Sequence, residues 1–227
     1  MQIVEFGAGT LRFLEQPPQQ VPEGGFVWIY LDREELQARL PQLQHAAQSL
    51  GGSALLDLHV KDLANRAHPS HYDYTSIYDL VIFRRLATEE EVRVEIGAAD
   101  GDPGDRALAS FGRIRTRAIG FAVFDRLLVS VHPTGCQSPR TFIQRYLGAV
   151  VQSEGVTAVA RTRLPSSPAD VMLRMVNMMV DSYLDLRKIL SAELDHWQQA
   201  LLAARSRGAG WGALMMARNA LHTLEDL

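Results

Sequence analysis

The stretch "FVWIYLD" (residues 26–32) decides the fold class of this chain. Its first six residues are all aliphatic or aromatic, and no polar side chain alternates with them. A strand with one face in water shows such alternation, whereas a continuous apolar run is typical of a strand covered on both faces. The stretch therefore predicts a central strand with layers of structure on both sides.

Other strand patterns lie on both sides of this stretch in the sequence. "QIVEFG" and "TLRFLE" alternate apolar and polar residues around Gly7, which predicts an N-terminal hairpin. Four further strands are predicted, at residues 76–87, 91–99, 118–124 and 127–133. Asp125 and Arg126 are predicted to form the two-residue turn of a second hairpin, between the last two of these strands.

Helical patterns separate these strands. Asp32 is predicted to cap a helix, with Glu35 placed as in a capping box, and Pro41 interrupts the helical pattern. Two more helices are predicted to begin at Ser53 and at Ser138. Interleaved strands and helices are typical of a layered α/β domain.

The C-terminal quarter has a different pattern. Ser167 is a helix cap followed by Pro168 at the first helical position, and neither Gly nor Pro recurs before Gly208. Apolar residues then alternate at spacings of four and three, which favours a coiled coil or helical hairpin. Residues 211–227 are predicted to form the returning helix.

Together these elements predict an α/β (α+β) fold in two parts. Residues 1–165 are expected to form an αβα sandwich with a mixed central sheet. Residues 166–227 are expected to form a long helical hairpin that follows it.

Composition narrows the class of protein. The 227 residues are 47% hydrophobic and 22% charged, as in an ordinary globular protein. The net charge of -3 gives no sequence-wide basic field for nucleic acid. Cys136 is the only cysteine, so no intramolecular disulfide forms and a reducing compartment is indicated. No secretory signal or membrane-spanning apolar run is present in these residues.

Several clusters of polar residues could carry chemistry. His68, His71 and Asp73 in "HPSHYDY" are possible zinc ligands, although an ordinary polar loop is the simpler interpretation. Cys136 near His132 lacks a third orienting group, so no enzyme is predicted.

Acidic and basic runs have similar alternatives. Asp181, Asp185, Glu193 and Asp195 give the long helix an acidic side, either a solvated face or a weak surface for divalent ions. The loop "DGDPGD" (residues 100–105) lacks the ligand pattern of a calcium loop, and "RIRTR" (residues 113–117) is interpreted as a solvated strand face.

Four stretches in this order resemble the cytoplasmic part of the CorA family of divalent-cation transporters. "KDLANRAHPSHYDYTSIYDLVIFRRL" (residues 61–86) is similar to the family's passage from a helix with Asp and Asn into a central strand. "DRLLVSVHP" (residues 125–133) resembles the next strand pair. "LRMVNMMVDSYLDLRKILSAELDHWQQALL" (residues 173–202) is similar to the family's long helix, and "LMMARNALHTLEDL" (residues 214–227) to the helix that follows.

The resemblance implies a homopentamer of αβα domains with helical hairpins. It further implies that a stalk continues beyond Leu227 into two membrane spans, with a Gly-Met-Asn tripeptide beyond the first. Neither spans nor tripeptide occur in these residues. By resemblance, the full-length protein lies in the cell inner membrane and this segment is cytoplasmic.

The resemblance also implies a regulatory ion site at Asp62, which matches the family's first Asp in the Asp-x-x-Asn stretch. Mg²⁺ is the expected ion, with Zn²⁺ or Co²⁺ as alternatives, and the zinc-transporting branch of the family is an alternative identity. Asp62 would sense the ion and gate the pore rather than catalyse a reaction. A soluble protein that uses its helical hairpin as a coiled-coil docking arm is the further alternative.

Overall fold

A computed structural model of the chain describes residues 1–7, 10–88, 91, 114–151, 164–203, 215, 218 and 219. Within these residues a seven-stranded sheet has the order β2-β1-β3-β7-β6-β5-β4. The strands are β1 (Gln2–Phe6), β2 (Leu11–Leu14), β3 (Phe26–Asp32), β4 (His71–Tyr74), β5 (Tyr78–Leu86), β6 (Thr116–Phe124) and β7 (Leu127–His132). The helices are α1 (Leu36–Gly51), α2 (Asp57–Ala64), α3 (Ser138–Val151) and α4 (Pro168–Ala203), and a 3-10 turn (Arg33–Glu35) precedes α1.

The sheet is mixed, as predicted. Strand β3 pairs in parallel with β7, whereas β1 pairs antiparallel with both β2 and β3. The pairs β6–β7 and β4–β5 are antiparallel. Parallel neighbours require a long crossover, which the chain between β3 and β7 provides.

The central strand is covered on both faces, which confirms the prediction from residues 26–32. On one face, alternate residues of β3 belong to a buried cluster with α1 and α2. On the other face, the Trp28 ring meets Phe142 of α3 edge-to-face, with ring centres 5.7 Å apart. The cluster on the first face includes Ile3, Val27, Ile29, Leu31, Leu36, Leu43, Ala47, Val60, Leu63, Leu80 and Val129. The predicted α/β class is therefore confirmed.

The expected break at Pro41 is wrong, because α1 runs through this residue without interruption. A proline inside a helix costs about 3 kcal/mol. Leu36 precedes Pro41 and Leu43 follows it, and both are fully buried. Burial of such side chains contributes about 1.5–3 kcal/mol each, which offsets the cost of the proline.

The expected capping box at Asp32 is also wrong. Asp32 precedes the 3-10 turn but makes no side-chain capping hydrogen bond. Its carboxylate instead accepts a hydrogen bond from the backbone N–H of Gly135, while burial raises its pKa. The carboxylate is used to join the end of β3 to a neighbouring loop.

Two other element boundaries differ from the prediction. The second helix begins at Asp57 rather than Ser53. The N–H groups of Ala54 and Leu55 donate to the side-chain oxygens of Gln48 and Gln44 on α1, and Gln44 Nε2 donates to the carbonyl of Leu55, so this segment is bound to α1 instead. Residues His71–Tyr74, expected in a loop, form the edge strand β4. They pair antiparallel with β5 in a hairpin whose connection is residues 75–77.

The predicted start of the long helix is confirmed. The N–H of Asp170 donates to Ser167 Oγ at 3.1 Å, so Ser167 is the cap. The Asp170 carboxylate accepts from the N–H of Ser166, one residue before the position that a capping box requires. Helix α4 is 36 residues long.

The chain divides into two compact units: Met1–Phe83 with Ala118–Asn177, and Arg84–Arg117 with Met178–Leu227. The predicted strand at 91–99 and the returning helix at 211–227 lie outside the described residues except for Glu91, Met215, Arg218 and Asn219. The predicted domain boundary between residues 165 and 166 stays a prediction.

Candidate metal centre

Helix α2 presents Asp62 in its last turn. On the inner side of the helix His59, Val60 and Leu63 are buried, whereas the Asp62 side chain remains 20% exposed. Helix α2 lies so close to β6 that a Cβ atom on Gly120 would be 2.2 Å from Leu63 Cδ2. The absence of a side chain at Gly120 therefore permits the packing that places Asp62.

The buried Arg33 side chain anchors the C-terminal end of α2. Its Nε donates to the carbonyl of Leu63 at 3.0 Å, and its Nη2 donates to the carbonyl of Ala118 on β6 at 2.6 Å. One guanidinium thus joins the helix end to the sheet. Hydrogen bonds from a charged donor contribute more than neutral ones, about 1.5–3 kcal/mol each. No local sequence pattern distinguishes Arg33 from the other arginines.

Asn65 shapes the turn that follows α2. Its N–H donates to the carbonyls of Lys61 and Asp62, each at 3.1 Å, and so closes the helix. Its side-chain Oδ1 accepts the N–H of Ala67 at 2.9 Å, and its carbonyl accepts the N–H of His68 at 3.4 Å. This turn reverses the chain and returns His68 to the end of the helix.

The reversal brings His68 beside Asp62. The distance from His68 Nε2 to Asp62 Oδ1 is 3.4 Å, and the two side chains are 17% and 20% exposed. The other ring nitrogen of His68, Nδ1, lies 2.9 Å from the carbonyl oxygen of Pro69. The predicted site residue is therefore paired, within its own chain, with an imidazole that the sequence analysis considered only with His71 and Asp73.

A second His–Asp pair lies on the buried side of α2. His59 Nε2 is 3.2 Å from Asp73 Oδ2, and His59 Nδ1 is 2.7 Å from the hydroxyl of Tyr78. That hydroxyl accepts the N–H of Leu56 at 2.9 Å. The pKa of Asp73 is lowered, mainly by the hydrogen bond from the N–H of Tyr74 and next by His59. His59 was not predicted from the sequence, because a single histidine on a helix forms no recognisable pattern.

The three ligands once considered together in "HPSHYDY" do not form one site. Asp73 belongs to the pair with His59, and His68 belongs to the pair with Asp62. The ring centres of His68 and His71 are 5.6 Å apart. In the part of the chain that the structure describes, no three His, Cys, Asp or Glu side chains form a group able to hold a metal ion.

The other candidate residues that the structure describes form hydrogen bonds or ion pairs within the protein. Trp28 Nε1 donates to Ser130 Oγ at 2.8 Å, and Ser130 Oγ lies 2.8 Å from His132 Nε2. His132 is fully buried, so this hydrogen-bonded chain belongs to the core. On α4, Asp185 pairs with Lys188 at 3.1 Å. The acidic loop at 100–105 and Arg113 lie outside the described residues.

The fold is similar to solved structures of CmaX, CorA and ZntB. Full-length CmaX matches with a TM-score of 0.62 and 15% identity, over 99% of this chain and 58% of that chain. The complete CorA magnesium transporter from Methanocaldococcus jannaschii matches with a TM-score of 0.60 and 15% identity, over 97% and 57%. The ZntB cytoplasmic domain from Vibrio parahaemolyticus RIMD 2210633 matches with a TM-score of 0.50 and 13% identity, over 96% and 72%. The predicted CorA-like fold is confirmed.

These likenesses concern the fold, and the chain spans a little over half of the length of CmaX and of the complete CorA, 58% and 57%. No protein-family model and no curated protein sequence matches the chain. Among the helices that the structure describes, none combines the length and the apolar character needed to cross a bilayer.

Proposed function

We propose that this chain is the cytoplasmic regulatory domain of a CorA-like divalent-cation transporter. The observation that carries the proposal is the match to the complete CorA magnesium transporter, which extends over 97% of this chain. A likeness confined to the sheet would be shared by many unrelated α/β proteins. A similarity that extends over almost the whole chain favours a common architecture, and from it we infer a related function.

In this proposal Asp62 is the regulatory ion ligand. Its carboxylate is partly exposed at the end of α2, so it is accessible both to an ion and to a second copy of the chain. Carboxylates from two copies repel each other when no ion is present, and a divalent ion between them replaces repulsion with attraction. Ion binding then favours the associated state and closes the pore.

The remaining features of the proposal come from the resemblance. The assembly is a homopentamer, the transported ion is Mg²⁺ or Co²⁺, and the full-length protein lies in the cell inner membrane. The zinc-transporting branch is the alternative identity, and the match to the ZntB cytoplasmic domain is consistent with it. The function is that of a sensor and gate rather than an enzyme.

Ion flux tests this function. The complete open reading frame that encodes this chain should be expressed, reconstituted in vesicles and assayed for Mg²⁺, Co²⁺ and Zn²⁺ uptake. We expect flux of at least one ion, and we expect Asp62→Asn to reduce its inhibition by internal divalent ion. Asp57→Asn, an exposed carboxylate on the same helix, is the matched control. Absence of flux for all three ions from folded, inserted protein would reject the transporter assignment.

A docking protein is the second candidate function, and the surface of α4 favours it. Large apolar side chains on this helix are exposed to solvent, as on a helix that binds a partner groove. They are Leu173, Val180, Leu184 and Ile189. A product of the open reading frame that remains in the soluble fraction, and whose partner binding is lost on Leu184→Lys, would support this function instead.

A further inference from the structure

The outer edge of the sheet at β4 presents backbone groups that β5 does not use. Strand β4 ends the strand order of the sheet, and within the described residues it pairs only with β5. The N–H of Thr75 donates to the carbonyl of Tyr78 at 2.9 Å, so these two residues form a hydrogen-bonded pair of the hairpin. Such pairs alternate along an antiparallel ladder, so the N–H and C=O groups of Tyr72 and Tyr74 face away from β5. An edge of this kind can accept a further strand.

The two outward-facing residues differ in the backbone groups that they leave available. The N–H of Tyr74 already donates to Asp73 Oδ1 at 2.7 Å. The hydroxyl of Tyr72 donates to Asp79 Oδ1 at 3.3 Å, but its outward N–H and carbonyl have no partner in the part of the chain that the structure describes. Tyr72 therefore offers one donor and one acceptor side by side, as antiparallel pairing requires.

The side chains of β4 add an exposed aromatic surface to this edge. Tyr72 and Tyr74 are 60% and 71% exposed, and their rings are stacked with centres 6.4 Å apart. Both rings lie on the face of the sheet opposite α2, because Asp73, the residue between them, contacts His59 of that helix. Tyrosine is enriched in protein interfaces, where its ring gives a large contact area. A strand that pairs with β4 would cover part of this surface.

Charge selects one register for pairing with a second copy of the chain. Two copies can pair about a two-fold axis at Asp73 or at Tyr72. An axis at Asp73 places two carboxylates opposite each other, and it requires the N–H of Tyr74 that Asp73 already binds. An axis at Tyr72 lets the two Tyr72 residues exchange both hydrogen bonds, and it places His71 of each copy opposite Asp73 of the other. The register at Tyr72 therefore satisfies the backbone and avoids the repulsion.

We propose that a second copy of this chain pairs antiparallel with β4 about a two-fold axis at Tyr72. A strand of four residues gives a contact smaller than the roughly 1,200–2,000 Å² of a standard interface, so the association is weak and reversible. The contact is independent of the proposed transporter function. Reciprocal pairing of a strand with its own copy requires a two-fold axis, which a ring of five copies does not contain.

Disulfide trapping tests the register. All variants carry Cys136→Ser, which removes the only native thiol. Tyr72→Cys should then give a disulfide-linked dimer under mild oxidation, because the paired Cα atoms lie about 5.5 Å apart. Tyr74→Cys is the matched control, since Tyr74 is the more exposed of the two residues. Its two copies would lie roughly 14 Å apart, beyond the reach of a disulfide.

The trapping rates decide the outcome. We expect Tyr72→Cys to form the dimer at least about tenfold faster than Tyr74→Cys, because a preformed contact raises the effective concentration of the thiols. Equal rates would indicate random collision and would overturn the proposal.

Sedimentation equilibrium of the 227-residue chain with its native tyrosines gives an independent readout. Tyr72→Lys places two like charges at the axis, so it should weaken self-association by at least about tenfold. Phe13→Lys replaces an exposed aromatic residue on β2, at the opposite edge of the sheet, and should leave self-association within about twofold of the original chain. Far-ultraviolet circular dichroism confirms that each variant is folded, and Tyr72→Glu is the second variant in case Tyr72→Lys is not. A chain that stays monomeric at its highest soluble concentration, or association that Tyr72→Lys leaves unchanged, would reject the β4 contact.

Discussion

The two His–Asp pairs at helix α2 consist of the same residue types but have different surroundings. The His59 side chain is 2% exposed, and both of its ring nitrogens contact protein groups within 3.2 Å. The Tyr78 hydroxyl accepts the N–H of Leu56, which leaves its own hydrogen for His59 Nδ1. His68 is more exposed than His59, 17% against 2%, whereas Asp62 is less exposed than Asp73, 20% against 42%. The burial of the imidazole ring and the partner of its second nitrogen, rather than residue identity, distinguish the two pairs.

The largest expected difference between the pairs is in stability. His59→Ala removes a buried ring and leaves the Tyr78 hydroxyl without that partner, so we expect a loss of about 2–4 kcal/mol in the free energy of unfolding. His68→Ala removes a partly exposed ring, and its loss should stay below about 1 kcal/mol. Urea unfolding measures both. Equal losses would remove the distinction between the two pairs.

The proposed divalent ion should stabilise the chain through Asp62 and not through Asp73. At a free ion concentration of about 100 times Kd, binding to the native state raises the free energy of unfolding by about 2.7 kcal/mol. We expect Asp62→Asn to abolish this gain and Asp73→Asn to retain it. Thermal unfolding with and without Mg²⁺, Co²⁺ or Zn²⁺ measures the effect. If the gain disappears in Asp73→Asn, the ion binds at Asp73 and the Asp62 site is wrong.

The turn between α2 and β4 should contribute a smaller part of the stability. Asn65→Ala removes the acceptor of the Ala67 N–H, so the free energy of unfolding should fall by about 1 kcal/mol. Asn177→Ala, on the exposed face of α4, is the control and should change it by less than about 0.5 kcal/mol. Urea unfolding compares the two variants. Equal stabilities in the two variants would show that the Asn65 side chain does not support the turn.

The smallest expected effect is in acid titration. The pKa of Asp73 is lowered, first by the hydrogen bond from Tyr74 and then by His59. A carboxyl group with a lowered folded pKa stabilises the fold above its ordinary pKa, and this contribution is lost as the pH falls through the folded value. Carbon-13 NMR of the carboxyl group should give a midpoint below the ordinary value. His59→Gln should raise that midpoint only partly, because Tyr74 remains; a full return would reverse the order of the causes.

Strong local patterns predicted the elements that carry them. The apolar run at 26–32 became the buried strand β3, and the cap at Ser167 began helix α4. The predictions for Pro41 and Asp32 were wrong. Helix α1 continues past Pro41 because its apolar face is buried. The Asp32 carboxylate accepts a hydrogen bond from Gly135 instead of capping the helix. A local rule fails where a tertiary contact contributes more free energy than the local preference.

The candidate site was only partly visible in the sequence. Asp62 was identified from the resemblance, and His68 was noted in a different grouping with His71 and Asp73. The chain reversal at Asn65 separates these grouped residues and joins His68 to Asp62. Turn signals in "NRAHP" indicate that the chain changes direction, but they do not say which side chains then meet.

The sequence by itself determined the layered α/β class and the long C-terminal helix, because apolar periodicity and helix caps are properties of neighbouring residues. Only the tertiary structure decided that His59 is buried against Asp73 and Tyr78 while the more exposed His68 lies beside Asp62. The burial of His59 depends on packing of α2 against the sheet, which a local pattern does not contain. A buried imidazole needs partners for both ring nitrogens, and His59 finds them on β4 and β5.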